Sequence, residues 1–545
     1  MKIPSDPLER EYFYNSLIEK CMVSRDERRS DYASLRSYYL FGNSPEEEPA
    51  LYNKIFSHID QLCSFLYSAE TTRFNISLGA AVHEGEHRKI PSLTQLLHDE
   101  WNNSNADQVF ATALIWALVF NSTFIKLIRY KGTISPYLVD PATIGVLRED
   151  VPYTDRQQAL TQEYYMTKHD LYSMLYEHPN RENIISRIST GAYTPQQIPD
   201  GVDRIVMSQT NPTLYGTVNL DLYGYNRMKA RIGEDTVKMI ELYVWNDEIN
   251  DYQIITKAEP DVIIYDRPQH DGGPNPIFLK GELPFIQICP NPQYDYYWGQ
   301  SEVSKLIYLQ QMRNRRMTEI LDLLSKQVNP PTALTGFTGI FDEKNFALNR
   351  AGGLISTDMP NAKAERLTPQ IPQDLYQQIR EIDQMFEETS GISSVLSGKG
   401  EQGVRSAGHA SQLARLGSSR AKKRAMVVED SLEKMATLYL KLMQLDQDKD
   451  LKDIEGGDFI PSQFTKDYVV KVDAHSNSPI FMEDLRQLAF NLFKAQAIDK
   501  ESLLDLLDPP MKQLLKERLK KMEAKAAMQP PQGGAGQVTP MKKQA

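Results

Sequence analysis

The stretch Ser301–Val328 constrains this chain more than any other. Met317, Ile320, Leu321, Leu324 and Val328 form one apolar stripe at helical spacing, and Ser301 can cap the start. Asn329-Pro330-Pro331 ends it, because proline lacks an N–H and clashes with the preceding turn. Counted from Gly299, the helix has about 30 residues and is about 45 Å long. A second helix begins near Gln373, where Leu375, Ile379, Ile382 and Phe386 repeat at four, three, four, and Gly391 ends it. Between the two lies a compact insert, Thr332–Pro372, with β-like runs ALTGF and GGLIST and a helical turn at Asp342–Leu348. Phe337, Ile340, Phe341 and Phe346 are its apolar groups, placed either in its own core or against a neighbouring subunit.

Residues 1–130 read as helical. Tyr12–Tyr39 and Leu51–Ala69 carry the helical period, and Ser92–Tyr130 holds two more helices. The longest apolar run, Val109–Phe120, has twelve residues, whereas a spanning helix needs about 20. It reads as a buried core helix, and no membrane segment is expected. From about Asp203 to Pro290 the chain is β-rich. Val237–Trp245, NDEIND and YQIITKA form a hairpin signal, followed by strands at Val262–Asp266 and Pro284–Pro290. Ile392–Gly408 contains four glycines and four serines and no apolar period, so it reads as a flexible loop. A long helix follows to about Leu445, with Val428, Leu432, Met435, Tyr439 and Leu442 on one stripe. Met482–Ala497, Lys500–Leu507 and Met511–Met528 read as shorter helices, and residues 529–545 as a disordered tail by composition. The length, 545 residues, predicts roughly three or four structural units at about 150 residues each. The expected class is α+β, mainly helical.

The loudest chemical motif is His83-Glu84-Gly85-Glu86-His87, a literal H-E-x-x-H. In a zinc protease the two histidines sit one helical turn apart and share a metal, while the glutamate activates water. Here Gly85 sits inside the motif, Pro91 lies close by and no amphipathic stripe flanks it, so an exposed polar loop is the expected reading. Neither G-x-x-x-x-G-K-[ST] nor G-x-S-x-G occurs, and Cys21, Cys63 and Cys289 are too scattered for a disulfide framework or a zinc cluster. The three thiols fit a reducing compartment, and the N-terminal MKIPSDPLEREYFYN has no apolar signal core. No cofactor is expected and no metal site is assigned.

Charge is distributed unevenly. The chain carries a net −11, which excludes a protein coated with basic surface for nucleic acid. Between Lys399 and Arg424 lie Lys399, Arg405, Arg415, Arg420, Lys422, Lys423 and Arg424 against Glu401 alone, a local +6 that leaves −17 for the remainder. A solvated helix face is the plain reading; a local phosphate-contacting belt is the functional one. Little aromatic interleaving means that base stacking is not indicated.

The order of these segments resembles that of the portal, or head–tail connector, proteins of tailed bacteriophages. ELPFIQICPNP and YYWGQSEVSKLIYLQQMRNRRMTEILDLLSKQVNPP resemble the family's approach to its first stem helix. GISSVLSGKGEQGVRSAGHASQLARLGSSRAKKRAMVVEDSLEKMATLYLKLM resembles its tunnel loop and long wing helix. The resemblance implies a wing (1–297), a first stem helix (298–328), a clip (329–372), a second stem helix (373–391), a tunnel loop (392–408), a long wing helix (409–447) and crown helices (448–528). It also implies a dodecameric ring at one capsid vertex, with no catalytic activity of its own. Double-stranded DNA would pass through it without sequence readout, with Lys399 and Arg405 in the loop facing the duplex. The implied partners are the terminase large subunit, major capsid and scaffolding proteins, and head-completion or tail adaptors. The implied location is the virion, after assembly in the host bacterial cytoplasm.

A ring needs a head-to-tail interface that closes. A mostly acidic chain with a sparse basic belt can centre a duplex without trapping it, since each neutralised phosphate adds salt-dependent affinity. The competing readings are a zinc metalloprotease using His83, Glu84 and His87, and an elongated helical adaptor. Purified protein is expected to contain no stoichiometric zinc by atomic absorption; one zinc per chain would favour the protease.

Overall fold

The computed structural model describes residues 1–47, 49–67, 74–78, 89–130, 133–176, 178–188, 236–258, 261–270, 278–328, 330, 332–335, 361, 363–366, 370, 372–390, 419–445, 451–452, 458–459, 468–472, 488–507, 515 and 518–519. They fall into two units, Met1–Asn477 and Ser478–Ala545. His83, Glu84 and His87, the tunnel-loop residues Lys399 and Arg405, and the clip residues Phe337, Ile340, Phe341 and Phe346 lie outside the described residues.

The first unit opens with three helices, α1 (Pro7–Cys21), α2 (Arg25–Phe41) and α3 (Lys54–Leu66). Asp6 caps α1 by accepting from the Glu9 N–H, and Asn53 caps α3 by accepting from Phe56. After β1 (Phe74–Leu78) come α4 (Ile90–Asn103) and α5 (Ala106–Val119). In α5, Phe110, Ala113, Leu114, Ala117, Leu118 and Val119 are fully buried, so the longest apolar run is a core helix. No helix of the described residues is long and apolar enough to cross a membrane.

The chain then turns to sheet earlier than its pattern suggests. Asn121 takes a left-handed φ of 74°, and β2 (Thr123–Tyr130) and β3 (Thr133–Val139) follow. The expectation of helix to Tyr130 is therefore corrected at Thr123. β2 is a central strand buried on both faces, with Phe124 and Ile125 on opposite sides both at 0% exposure, so no period-two alternation marks it. It pairs antiparallel with β3 on one side and with β9 (Phe285–Ile288) on the other. A second sheet runs in the order β4 (Ile144–Val146), β5 (Ala159–Thr167), β6 (Thr236–Asn246), β7 (Asp251–Ala258), β8 (Val262–Pro268), all antiparallel. The expected hairpin is β6–β7, in register with Trp245 opposite Tyr252 and Asn246 opposite Asp251.

The two sheets share a core of Phe124, Val139, Ile144, Leu160, Tyr243, Phe285, Tyr297 and Trp298. Tyr14, Leu17 and Cys21 of α1 pack with Leu242, Val244 and Ile255 of the larger sheet. α6 (Lys168–Met174) and α7 (Arg181–Arg187) supply Leu171 and Ile184 to a cluster with Met166, Met239 and Ile264. Two buried carboxylates of this body, Glu241 and Glu163, are met by cations. Lys126 donates to Gln162 (2.9 Å) and Glu241 (2.6 Å), and the Tyr164 and Tyr243 hydroxyls also donate to Glu241, each at 2.9 Å. Burial would raise the Glu241 pKa, but the Lys126 charge and these hydrogen bonds hold it below the ordinary carboxylate range. Glu163 is likewise met by Arg25 (2.6 Å), Arg29 (2.7 Å) and Lys238.

Beyond the sheets lie α8 (Ile307–Val328), the short pair β10 (Thr332–Thr335) and β11 (Lys363–Arg366), α9 (Gln373–Ser390) and α10 (Ser419–Met443). The first long helix starts at Ile307 and not at Ser301. Ser301 donates to the Val119 carbonyl (2.6 Å) and accepts from the Ser304 N–H (3.3 Å), which caps and anchors the turn that leads into the helix. Residues 409–418, expected in the third long helix, lie outside the described residues, and its last helical residue is Met443. The expected stripe of this helix is buried, with Val428, Leu432, Met435, Tyr439 and Leu442 all at 2% exposure or less. Residues 448–528 are not wholly helical. They include β12 (Leu451–Lys452), β13 (Asp458–Phe459) and β14 (Tyr468–Val472), and β14 pairs antiparallel with β1. The second unit contains a helical stretch over 488–494 and α11 (Lys500–Leu507), where the Ser502 N–H donates to Asp499 (2.7 Å).

Gly145 on β4 marks the tightest join. A Cβ there would lie 2.5 Å from the Cys21 carbonyl oxygen and 2.6 Å from Thr161 Oγ1. Gly145→Ala is expected to lower unfolding stability by about 1–3 kcal/mol in urea melts; an unchanged midpoint would mean α1 and β4 do not meet this closely.

Candidate functional site

The polar groups that tie the long helices to the body converge just before α8. The local chain is Tyr297-Trp298-Gly299-Gln300-Ser301-Glu302. Tyr297 and Trp298 are buried at 1% and 0% exposure. Trp298 donates to Glu149 (2.9 Å), and the Arg28 guanidinium stacks 3.6 Å from its ring centroid. Gly299 has a φ of +72° and abuts Cys289 Sγ, and a Cβ there would come within 2.8 Å of the Asn291 carbonyl oxygen. Only glycine meets both demands.

Glu302 follows, with a side chain at 0% exposure. Arg424 of α10 donates through one guanidinium nitrogen to both of its oxygens, at 2.9 and 3.0 Å. Lys305 (3.0 Å) and the Asn291 amide (3.1 Å) donate to the second oxygen, and His58 Nε2 of α3 lies 3.8 Å from the first. Burial alone would push this carboxyl up. The neighbouring His58 ring and the charges of Arg424 and Lys305 instead bring it down to about 2. Arg424 also donates to Asn291 Oδ1 (3.0 Å) and to the Ser390 carbonyl at the end of α9 (3.4 Å). One guanidinium thus links the start of α10, the end of α9 and the turn that leads into α8.

A second tie lies further along. Asp383 of α9 accepts from Lys54 of α3 (2.8 Å) and from Arg313 of α8 (3.1 Å). Gln310, at 0% exposure, bridges the Tyr52 carbonyl (3.0 Å) and the Lys54 N–H (3.1 Å), and Asn314 donates to the Gly42 carbonyl (2.8 Å). The near half of α8 is therefore stapled to the loop between α2 and α3 by hydrogen bonds.

The arrangement holds helices and presents no activated group. Glu302 has no proton to exchange near neutrality, and burial raises the thiols of Cys21, Cys63 and Cys289 to about 12. Among the described residues no cluster of three His, Cys, Asp or Glu side chains could hold a metal.

The sequence-predicted residues are placed as follows. Arg424, expected on a basic belt facing DNA, is corrected: it is 9% exposed and neutralised by Glu302. Lys423 is exposed, Arg420 and Lys422 lie in the first turns of α10, and Arg415 is outside the described residues. In the stem stripe Ile320, Ile382 and Phe386 are buried, Met317, Leu375 and Ile379 are half-buried, and Leu324 and Val328 are exposed. α8 packs against α9. Sequence reasoning missed Glu302, Asp383 and His58. The tightness around Gly299 and the lone acid after it were the local signals; nothing local points to a partner 122 residues away.

Stability that comes from Glu302 is fully present above its unfolded pKa, near 4.5, and is lost as pH falls through about 2. The gap corresponds to about 3 kcal/mol. Subtracting the acid-unfolding curve of Glu302→Gln from that of the unaltered chain is expected to show this loss between pH 4.5 and 2; parallel curves would remove the charge from the hub.

A family model described as phage SU10 portal protein matches residues 124–501. No curated protein matches. Similar solved structures include three whose match covers 88% of this chain and 94% of the other. They are titled a virion of a native gene transfer agent particle (9% identity, TM-score 0.40), the neck of an empty gene transfer agent particle computed with C6 symmetry (10%, 0.40), and the neck of the native particle computed with C12 symmetry (8%, 0.38). These likenesses are remote.

Proposed function

The chain belongs to the phage SU10 portal protein family, and from that premise we propose that it closes into a dodecameric ring at one capsid vertex, through which the genome is packaged and later released. The family match over residues 124–501 carries the reading. It spans the sheets, the glutamate hub and all three long helices. The family is structural, so the protein acts by shape and charge and not by chemistry.

In this reading α8 and α9 form the stem, residues 329–372 the clip between them, and the two-sheet body the wing. Leu321 (47% exposed), Leu324 (38%) and Val328 (77%) on α8, with Tyr376 (47%) and Met385 (48%) on α9, expose apolar surface in the single chain. Head-to-tail neighbours would cover these groups in a closed ring. Residues 392–408 form the tunnel loop. Its Lys399 and Arg405, with Arg415, Arg420, Lys422 and Lys423, make a sparse basic belt on an otherwise acidic chain. Such a belt contacts phosphates without reading bases and lets the duplex slide. Arg424 is left out because its charge is spent on Glu302. The proposed partners are the terminase large subunit, docking at the clip, with major capsid and scaffolding proteins and head-completion or tail adaptors. Assembly takes place in the host bacterial cytoplasm.

Native mass measurement is expected to give a closed ring near twelve copies. Lys399→Ala combined with Arg405→Ala is expected to leave that ring intact while lowering packaged DNA or its retention. A double variant that packages and retains DNA normally would remove these residues from the channel, and a chain that stays monomeric would remove the channel itself.

A further inference from the structure

A cleft of about 550 Å³ opens in the first unit between β9, β14 and the long helix α10. Its walls are two strand edges. Among the described residues β9 is the outer strand of its sheet, bonded to β2, and β14 is bonded to β1. Phe285, Ile286 and Gln287 line the cleft consecutively on one side, and Val469, Val470 and Lys471 do so on the other. Successive strand side chains point to opposite faces. A cleft touched by three residues in a row therefore abuts the edge of a strand and not one of its faces. Each wall is a strand edge whose main-chain groups have no ladder partner among the described residues. Ser431 Oγ on α10 lies 3.3 Å from the Gln287 carbonyl and 3.2 Å from the Val427 carbonyl, so one acceptor of that edge is already within reach of a donor.

Size and charge narrow the occupant. Three consecutive residues on each wall set the length of a paired segment at about three residues. Its lysines are already neutralised: Lys471 by Glu433 (2.9 Å), Lys434 by Asp430 (2.8 Å) and Lys441 by Glu282. A phosphate or nucleic acid finds no uncompensated charge among them. Val469 is half exposed, while Leu438 and Ile286, both largely buried, also line the cleft.

We propose that this cleft is a strand-docking slot. It receives about three residues of an extended, uncharged segment of another protein, with alternating apolar side chains, bound through its main chain to β9 and β14. The slot does not depend on ring closure.

The test uses the full chain and a capped Thr-Val-Thr-Val-Thr-Val peptide, with Thr-Val-Pro-Pro-Thr-Val as the form that cannot pair. Amide hydrogen exchange is followed at 285–287 and 469–471. The first peptide is expected to slow exchange of the edge amides tenfold or more, the proline form to leave it unchanged, and Thr437→Trp, which fills the floor, to abolish the slowing. No slowing, or equal slowing by both peptides, would overturn the proposal. Slowing by inorganic tripolyphosphate would assign the cleft to an anion instead. Protection before any addition would assign it to the chain itself if independent of concentration, and to a second copy if it rises with concentration. Should Thr437→Trp fail to fold, the two peptides on the unaltered chain still decide.

Discussion

Glu302 is wholly buried, so the protein must supply what keeps it ionised. Moving a carboxylate out of water costs several kcal/mol, and one cation at a poor angle does not return it. Here a guanidinium meets both oxygens, with an ammonium and an amide on the remaining lone pairs. The requirement is directional, and the donors come from residues 291, 305 and 424. Because the same guanidinium reaches the Ser390 carbonyl, meeting the needs of one acid also places the end of α9 and the start of α10. Arginine suits this task better than lysine, since its planar fork can serve a carboxylate and other acceptors at once.

The body and the long helices are stabilised differently. The body is a conventional apolar core with buried ion pairs at Lys126 and Glu163. α8 meets it through Gln310, Arg313 and Asn314. Past Ile320, apolar groups such as Leu321 and Val328 face solvent. α8 is polar where it meets the body, packs on α9 through the buried Ile320, and exposes apolar side chains beyond it. That division is the physical ground for reading α8 and α9 as parts of an assembly.

Elements with their own period were legible in the sequence. The β6–β7 hairpin has alternating, β-branched strands around an Asn/Asp turn, and Asn250 takes the left-handed conformation that such a turn needs (φ 51°). The stripes of α9 and α10 carried enough helical repeats to be recognised. β2 was not legible, because burial on both faces erases alternation and leaves a run continuous with α5. β14 was not legible either. It is five residues long, and its partner lies almost 400 residues earlier. Of the candidate site, the Tyr297-Trp298-Gly299 approach to α8 stood out by composition, but its purpose did not.

Taken alone, the sequence determined the long periodic helices and the β6–β7 turn, that the longest apolar run is too short to span a membrane, and that positive charge gathers near residue 400. These depend on neighbours within a few residues, through repeat period, proline geometry and local charge. The tertiary structure alone decided which charges are available. Arg424 and Lys423 are adjacent and chemically alike, yet one is buried against Glu302 and the other is exposed. The difference is the helix face each occupies relative to a carboxylate from a distant part of the chain. Desolvation energy depends on that three-dimensional neighbour and leaves no trace in local spacing.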